Sequence, residues 1–297
     1  MIINTATLNA LRTGFRREFM GALEQAPTQR DRVATTVPST TRSNTYGWLG
    51  KLPNMREWMG DRVVHGLAEH SYTIVNKDYE LTVGVDRNDI LDDNLGVYAP
   101  IMQEFGDSVA AKPDMLVFEA LKAGFVNTCY DGQNFFDTDH PVLDKDGKEV
   151  SVANTDGGSG TPWFLIASGR RIRPIIFQER QRPEFVAMDN ASDPAVFSKK
   201  EFQYGTDARW NVGYGLWQMA WGSKQTLDKA HYKTAREALM GMKGDHGRPL
   251  GLTPNLLVVP PALEGQALEL LNAERDAAGA TNVYRNTAEL LVVPWLA

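Results

Sequence analysis

The stretch YDGQNFFDTDHPVLDKDG, residues 130–147, carries five aspartates and a histidine, and Cys129 stands immediately before it. These are metal-ligating and acid–base residue types, so the segment is tested first for chemistry. Asp144-Lys145-Asp146-Gly147 hints at a calcium loop. With Gly147 at the sixth position, however, Val142 falls where the first carboxylate belongs and Ala153 falls where the bidentate Glu belongs. A tight turn ending on Asp-Gly accounts for the same residues. Asp137, Asp139 and His140 could seat a divalent ion for metal-assisted hydrolysis. The competing reading is turn chemistry, in which Asp and Thr accept backbone N–H groups and Pro141 fixes an extended exit. The turn reading is favoured, because no further ligands follow in sequence.

The remaining patterns fail as active sites. His65 and His70 resemble a zincin helix with one residue too many; five positions apart, they point about 140° from each other on a helix. Gly157-Gly158-Ser159-Gly160-Thr161 is neither a nucleophile elbow nor a phosphate loop. Gly213-Tyr214-Gly215 sits inside an expected strand, which excludes a dinucleotide fingerprint. Cys129 has no histidine in helical register and reads as a small buried side chain. The residues point to no enzyme, no metal and no cofactor.

The elements that would carry these residues are those of a globular chain. Its 297 residues are 42% apolar and 23% charged, with one cysteine and a net charge of -6. One cysteine excludes internal disulfides and multi-cysteine metal sites and suits a reducing compartment. No apolar run approaches the roughly 18 residues of a membrane helix. The acidic balance argues against a dedicated nucleic-acid binder. Residues 1–45 carry six arginines against Glu18, Glu24 and Asp31, whereas residues 46–94 are net acidic. Such an asymmetry suits contact between copies and equally a solvated surface whose charges fall unevenly by chance.

Leu8, Leu11, Phe15, Phe19 and Leu23 give residues 5–25 a helical period. The Thr/Ser/Pro-rich stretch that follows reads as an extended arm that buries little. Residues 71–90 alternate as strand–turn–strand, with the turn near Asn76-Lys77-Asp78 and little core of their own. Residues 95–125 form the strongest helical segment, interrupted or restarted at Pro113. TDGGSGTP (155–162) reads as a flexible link, and residues 163–167 and 173–178 as buried strands. From Ala208 onward a strand alternates, and Gly213 and Gly215 imply close approach of another backbone or ring. A helix spans 226–243 with Leu227, Ala230, Thr234, Ala238 and Leu239 inward. The strand 255–260, a helix from Pro261 to about Arg275 and the strand 288–296 complete an α+β body.

Five stretches in order carry a family resemblance: WLGKLPNMREWMGDRVV (48–64), YELTVGVDRNDILDDNLGVYAP (79–100), YDGQNFFDTDHP (130–141), VFSKKEFQYGTDARWNVGYGLWQMAW (196–221) and GRPLGLTPNLLVVPPALEGQALELL (247–271). They run in family order and are spread over residues 48–271. It resembles the major head subunit of Mu-like phages and prophages, a branch of the HK97-type major capsid proteins. The resemblance implies an N-terminal arm (1–45) and an extended-loop β-hairpin (46–92) that reaches over an adjacent subunit. It further implies a peripheral domain with a spine helix (93–224) and an axial domain with a terminal strand (225–297). On this reading the protein is structural. It self-assembles into hexamers and pentamers of an icosahedral head around double-stranded DNA, meets scaffold and portal during assembly in the host bacterial cytoplasm, and ends in the virion. DNA contact would be nonspecific, with no membrane involved. An encapsulin-like compartment is the alternative. Some shells of this type are welded through a loop lysine, which points to Lys77; with no matching Asn motif, Lys77 reads as a solvated turn residue. Trp48, Trp58, Arg62, Lys77, Asp78 and Tyr79 are the candidate assembly-interface residues, since tryptophan and arginine dominate interface anchors.

Overall fold

The computed structural model describes residues 5–49, 72–92, 97–190, 192–275 and 279–297. In chain order the elements are α1 (Thr5–Gln25), β1 (Ala34–Pro38), β2 (Ser43–Thr45), β3 (Thr73–Val75), β4 (Lys77–Asp86), α2 (Arg87–Leu91) and α3 (Tyr98–Ala123). Then come β5 (His140–Leu143), β6 (Glu149–Val152), β7 (Thr155–Gly158), β8 (Trp163–Ile166), β9 (Ile175–Met188), α4 (Pro194–Lys199) and β10 (Glu201–Tyr214). The last part holds β11 (Ala220–Lys224), α5 (Lys229–Met240), β12 (Lys243–Gly244), β13 (Arg248–Pro249), β14 (Leu256–Val259), α6 (Glu264–Leu271) and β15 (Glu289–Val292).

Two sheets organise the chain. One runs β1-β9-β10-β4 and the other β15-β14-β8-β11-β7. In the first sheet β1 is parallel to β9, while β10 is antiparallel to both β9 and β4. Its long strands alternate buried and exposed residues, so Leu81, Val83 and Val85 share a face with Phe202, Tyr204 and Thr206. The helices α1 and α3 cover the outer half of that face through Phe15, Phe19, Val85, Phe105 and Tyr204. The strands of the second sheet are apolar throughout at Trp163–Ile166 and Leu256–Val259, as strands buried on both faces must be. They build the larger core with Val117, Phe118, Leu121 and Trp217.

The α1 period is realised as expected: Leu8, Leu11, Phe15 and Phe19 are buried. Gly106 lets α1 approach α3 closely, because a Cβ there would lie 2.5 Å from the Phe19 carbonyl oxygen. α3 runs unbroken through Pro113, and the neighbouring Asp114 turns its buried carboxylate to the N-terminal segment. It accepts from Thr28 Oγ1 at 2.7 Å, Gln29 N at 2.6 Å and Arg30 at 3.3 Å. The expected close approaches at Gly213 and Gly215 are also present, to Ile74 and to the Arg173–Pro174 backbone.

Several expectations are corrected. Residues 26–45 do more than trail as an arm, since Val33 and Ala34 are buried and β1 is an edge strand of the first sheet. There is no hairpin turn at Asn76-Lys77-Asp78. β3 pairs back to β2, and β4 continues nearly in line to pair with β10, so Asn76 joins strands of two different sheets. Residues 155–158 form a strand parallel to β11 where a flexible link was expected. In α5 the buried residues are Tyr232, Ala235 and Leu239, whereas Ala230 and Thr234 are exposed. The helix after Pro261 ends at Leu271.

Candidate functional site

The aspartate-rich stretch folds into two tight reversals. At Gly132 (φ 88°) the chain turns so that Cys129 N donates to Gln133 O at 2.8 Å. At Gly147 (φ 75°) the β5–β6 hairpin closes, with Asp144 accepting from Asp146 N at 2.8 Å and Lys148 N at 2.9 Å. The Asp-Gly turn inferred for residues 144–147 is therefore present. Asp137 accepts from Asn134 N and Thr138 N, as turn aspartates do. Asp139 pairs with Ser151 Oγ on the opposite strand. Asp137, Asp139 and His140 thus have separate partners and form no shared ligand set.

His140 joins a different group. Its Nδ1 lies 2.7 Å from Asp131 Oδ2, and Cys129 Sγ donates to Asp131 Oδ1 at 3.0 Å. Asp131 also accepts from Gln133 N at 3.1 Å. The imidazole is fully buried and stacks on Trp217 at 3.9 Å between centroids, 8° from parallel. Among the described residues these three are the group whose possible ligand atoms lie within 4.8 Å of one another. Burial alone pushes the Asp131 carboxyl up, but hydrogen bonds from His140 and Cys129 outweigh it and hold the group below the usual carboxylate range. Burial, reinforced by the Asp131 charge, pushes the Cys129 thiol far up. A thiol held protonated is a poor nucleophile and a poor metal ligand. The arrangement is a buried clasp that fastens the loop after α3 to Trp217. Sequence reasoning missed Asp131; the Asp131-Gly132 turn signal beside Cys129 could have revealed it.

The candidate interface residues fall in two places. Trp48 is half-buried, its ring edge-on to Tyr46 at 6.1 Å. Trp58 and Arg62, like His65 and His70, lie outside the described residues. Lys77, Asp78 and Tyr79 open β4. Lys77 is exposed on a strand, opposite Trp210. Asp78 is exposed and pairs with Arg209 at 2.5 Å. Tyr79 stacks on Trp210 at 5.7 Å, with Lys112 Nζ 5.9 Å from its ring centre.

The base of the β2–β3 hairpin is fixed by a buried polar network. Gln178, fully buried on β9, accepts from Tyr46 Oη at 2.7 Å and donates to Ile74 O at 3.1 Å and Asn76 Oδ1 at 2.8 Å. Asn76 Nδ2 in turn donates to Ser39 Oγ and Thr41 O. Burial pushes the Tyr46 hydroxyl up to about 12, so it remains a donor at neutral pH.

The family model described as Mu-like prophage major head subunit gpT matches residues 8–296. The chain belongs to the Mu-like prophage major head subunit family. The major capsid protein of Escherichia phage Mu is 45% identical over the full length of both chains. The Mu-like prophage FluMu major head subunit of Haemophilus influenzae is 44% identical over 96% of each. Among solved structures, a chain of the bacteriophage JBD30 procapsid superposes with a TM-score of 0.89 at 46% identity, covering 99% of this chain and all of that one. A chain of the JBD30 capsid gives 0.79 at 38% identity, each chain fully covered. This member of the head-subunit family is thus a structural phage-head protein with the α+β capsid fold of those shells. The family is a capsid family and no enzyme family, and these matches do not favour an encapsulin-like compartment. No helix among the described residues is long and apolar enough to cross a membrane.

Proposed function

We propose that the chain builds hexamers and pentamers of an icosahedral head around double-stranded DNA. The observation that carries this reading is the β2–β3 hairpin base, which the Gln178 network holds rigidly against the first sheet while residues 46–72 continue beyond it. Such a base suits a long loop that reaches a neighbouring subunit, since a projecting hairpin gains its stability from a partner surface. The division into an arm (1–45), an extended loop (46–92), a peripheral domain (93–224) and an axial domain (225–297) belongs to this proposal. Trp48, Trp58, Arg62, Lys77, Asp78 and Tyr79 are its interface residues.

On this reading Arg16 and Arg17, exposed on α1, face acidic surface of another copy. Scaffold and portal act during assembly in the host cytoplasm, and packaged DNA is touched without sequence preference, as an acidic shell suits. The related JBD30 capsid is also found decorated with minor capsid protein trimers, and this chain binds a similar partner on its outer surface. Electron microscopy of the purified protein, alone and with its scaffold, tests the reading. Closed shells or capsomer rings are expected; a monodisperse monomer at high concentration under both conditions would refute it.

A further inference from the structure

Two buried aspartates hold the N-terminal segment, and they are satisfied very differently. Asp114 is 4% exposed and accepts from Thr28, Gln29 and Arg30, just past the C-terminal end of α1. Asp189 follows β9 and is 3% exposed. Its one side-chain donor is Arg12, on the N-terminal half of α1, at 3.4 Å. The other carboxylate oxygen, Oδ2, is buried with no hydrogen-bond partner among the described residues. The Arg12 side chain is 43% exposed, so water competes for the pair.

The groups that face Asp189 come from three elements. α1 supplies Arg12. β10 supplies Tyr204, whose hydroxyl is also buried without a partner. The turn before α4 supplies Asp193, a like charge whose own carboxylate accepts from Asn190 N at 2.9 Å. Burial raises the Asp189 carboxyl above its ordinary 3.8; Arg12 opposes that rise and Asp193 adds to it. A buried carboxylate with one oxygen unmet is costly, and water that reaches it when α1 lifts relieves the cost.

α1 can lift as a unit. Its apolar stripe belongs to the smaller core cluster, with Phe19 on Phe105 at 4.7 Å and Phe15 edge-on to Tyr204 at 5.1 Å. Side-chain hydrogen bonds tie it to the body at Arg12–Asp189 and, at 2.8 Å, at Glu18–Gln103. We infer that α1 is a hinged strap, held firmly beyond its C-terminal end by Asp114 and latched at Arg12 by Asp189, and that the latch loosens when Asp189 is ionised. Docking binds the Asp189 proton more tightly than water does. The added hold is therefore fully present below the ordinary 3.8 and is lost as pH rises through the raised value. Release bares Phe15, Phe19 and the sheet residues beneath them.

Hydrogen exchange of the full-length protein tests this, read on α1 and on α5, whose Tyr232, Ala235 and Leu239 belong to the larger core. At about pH 7 Asp189→Asn is expected to slow α1 exchange at least about threefold relative to the parent and to leave α5 unchanged. At about pH 4 the difference should shrink. An unchanged or faster α1 at neutral pH, an equal gap at both pH values, or α1 and α5 changing together would overturn the inference. Arg12→Gln provides a second reading. It should speed α1 exchange at neutral pH when Asp189 is present and have little effect beside Asp189→Asn. An equal loosening in both backgrounds would show that Arg12 holds α1 without Asp189, and the latch would fail.

Discussion

Gln178 Nε2 donates to Asn76 Oδ1 at 2.8 Å, with both side chains buried. The pair joins β9, one of the two longest strands of the first sheet, to the junction where the chain passes from β3 to β4. Replacing Gln178 with Leu removes the acceptor of Tyr46 and the donor to Ile74 O at once, leaving several buried polar atoms unpaired. A loss of about 2–4 kcal/mol is expected in urea unfolding. The β2–β3 base should also become more open to limited proteolysis than in the parent.

Asp114 holds the crossing from α1 to β1 against the spine helix through Thr28, Gln29 and Arg30. Asp114→Ala leaves three donors without an acceptor and is expected to cost about 3 kcal/mol. Asp114→Asn keeps the shape and one acceptor and should cost less. Thermal unfolding of the two variants beside the parent checks the order.

The Asp131 carboxyl titrates below its ordinary 3.8 in the folded chain. Its contribution is therefore fully present above that value and is lost as pH falls through it towards the folded value. Asp131→Asn should be less stable than the parent at neutral pH, and the gap should narrow at about pH 3. Denaturant unfolding at the two pH values measures it.

The Cys129 thiol is buried and held protonated beside Asp131. The folded protein should react with a thiol reagent at neutral pH only as fast as it unfolds. One fast-reacting thiol per chain should appear in guanidinium. Rapid labelling of the native chain would contradict the clasp.

Gly106 separates α3 from α1 with no room for a side chain. Gly106→Val should push the helices apart and cost about 1–3 kcal/mol, whereas Gly14→Ala on open helix surface should be neutral or slightly stabilising. Chemical denaturation of both variants checks the contrast.

Elements whose spacing reports their own burial were legible from sequence. The 3–4 spacing of Leu8, Leu11, Phe15 and Phe19 marked α1, and the run Leu256–Val259 marked a fully buried strand. What sequence hid was partnership. A period of two from Thr73 to Asp86 looks the same for a hairpin as for two collinear strands in different sheets, and only Asn76, buried among polar partners, distinguishes them. Burial in α5 shifted from Ala230 and Thr234 to Tyr232 and Ala235, because the sheet beside it selects the face and a weakly apolar helix does not. Asp131, Asp137 and Asp144 accept backbone N–H groups in turns, as the sequence reading had it, whereas Asp139 pairs with Ser151 across strands. Cys129, Asp131 and His140 meet only because Gly132 reverses the chain, and no fixed spacing announces that.

The first sheet pairs Ala34–Pro38 with Ile175–Glu179, and Lys77–Asp86 with Glu201–Trp210. Further along, Arg32 meets Glu289 at 2.8 Å and Gln29 Nε2 meets Val292 O at 3.2 Å. The earliest-made strands must therefore wait for the latest-made ones. Contacts so distant in sequence form slowly, and a chain emerging from the ribosome cannot complete them until nearly all of it is out. A nascent or truncated chain that ends before β10 lacks the strand that joins β9 to β4, so its first sheet stays unfinished.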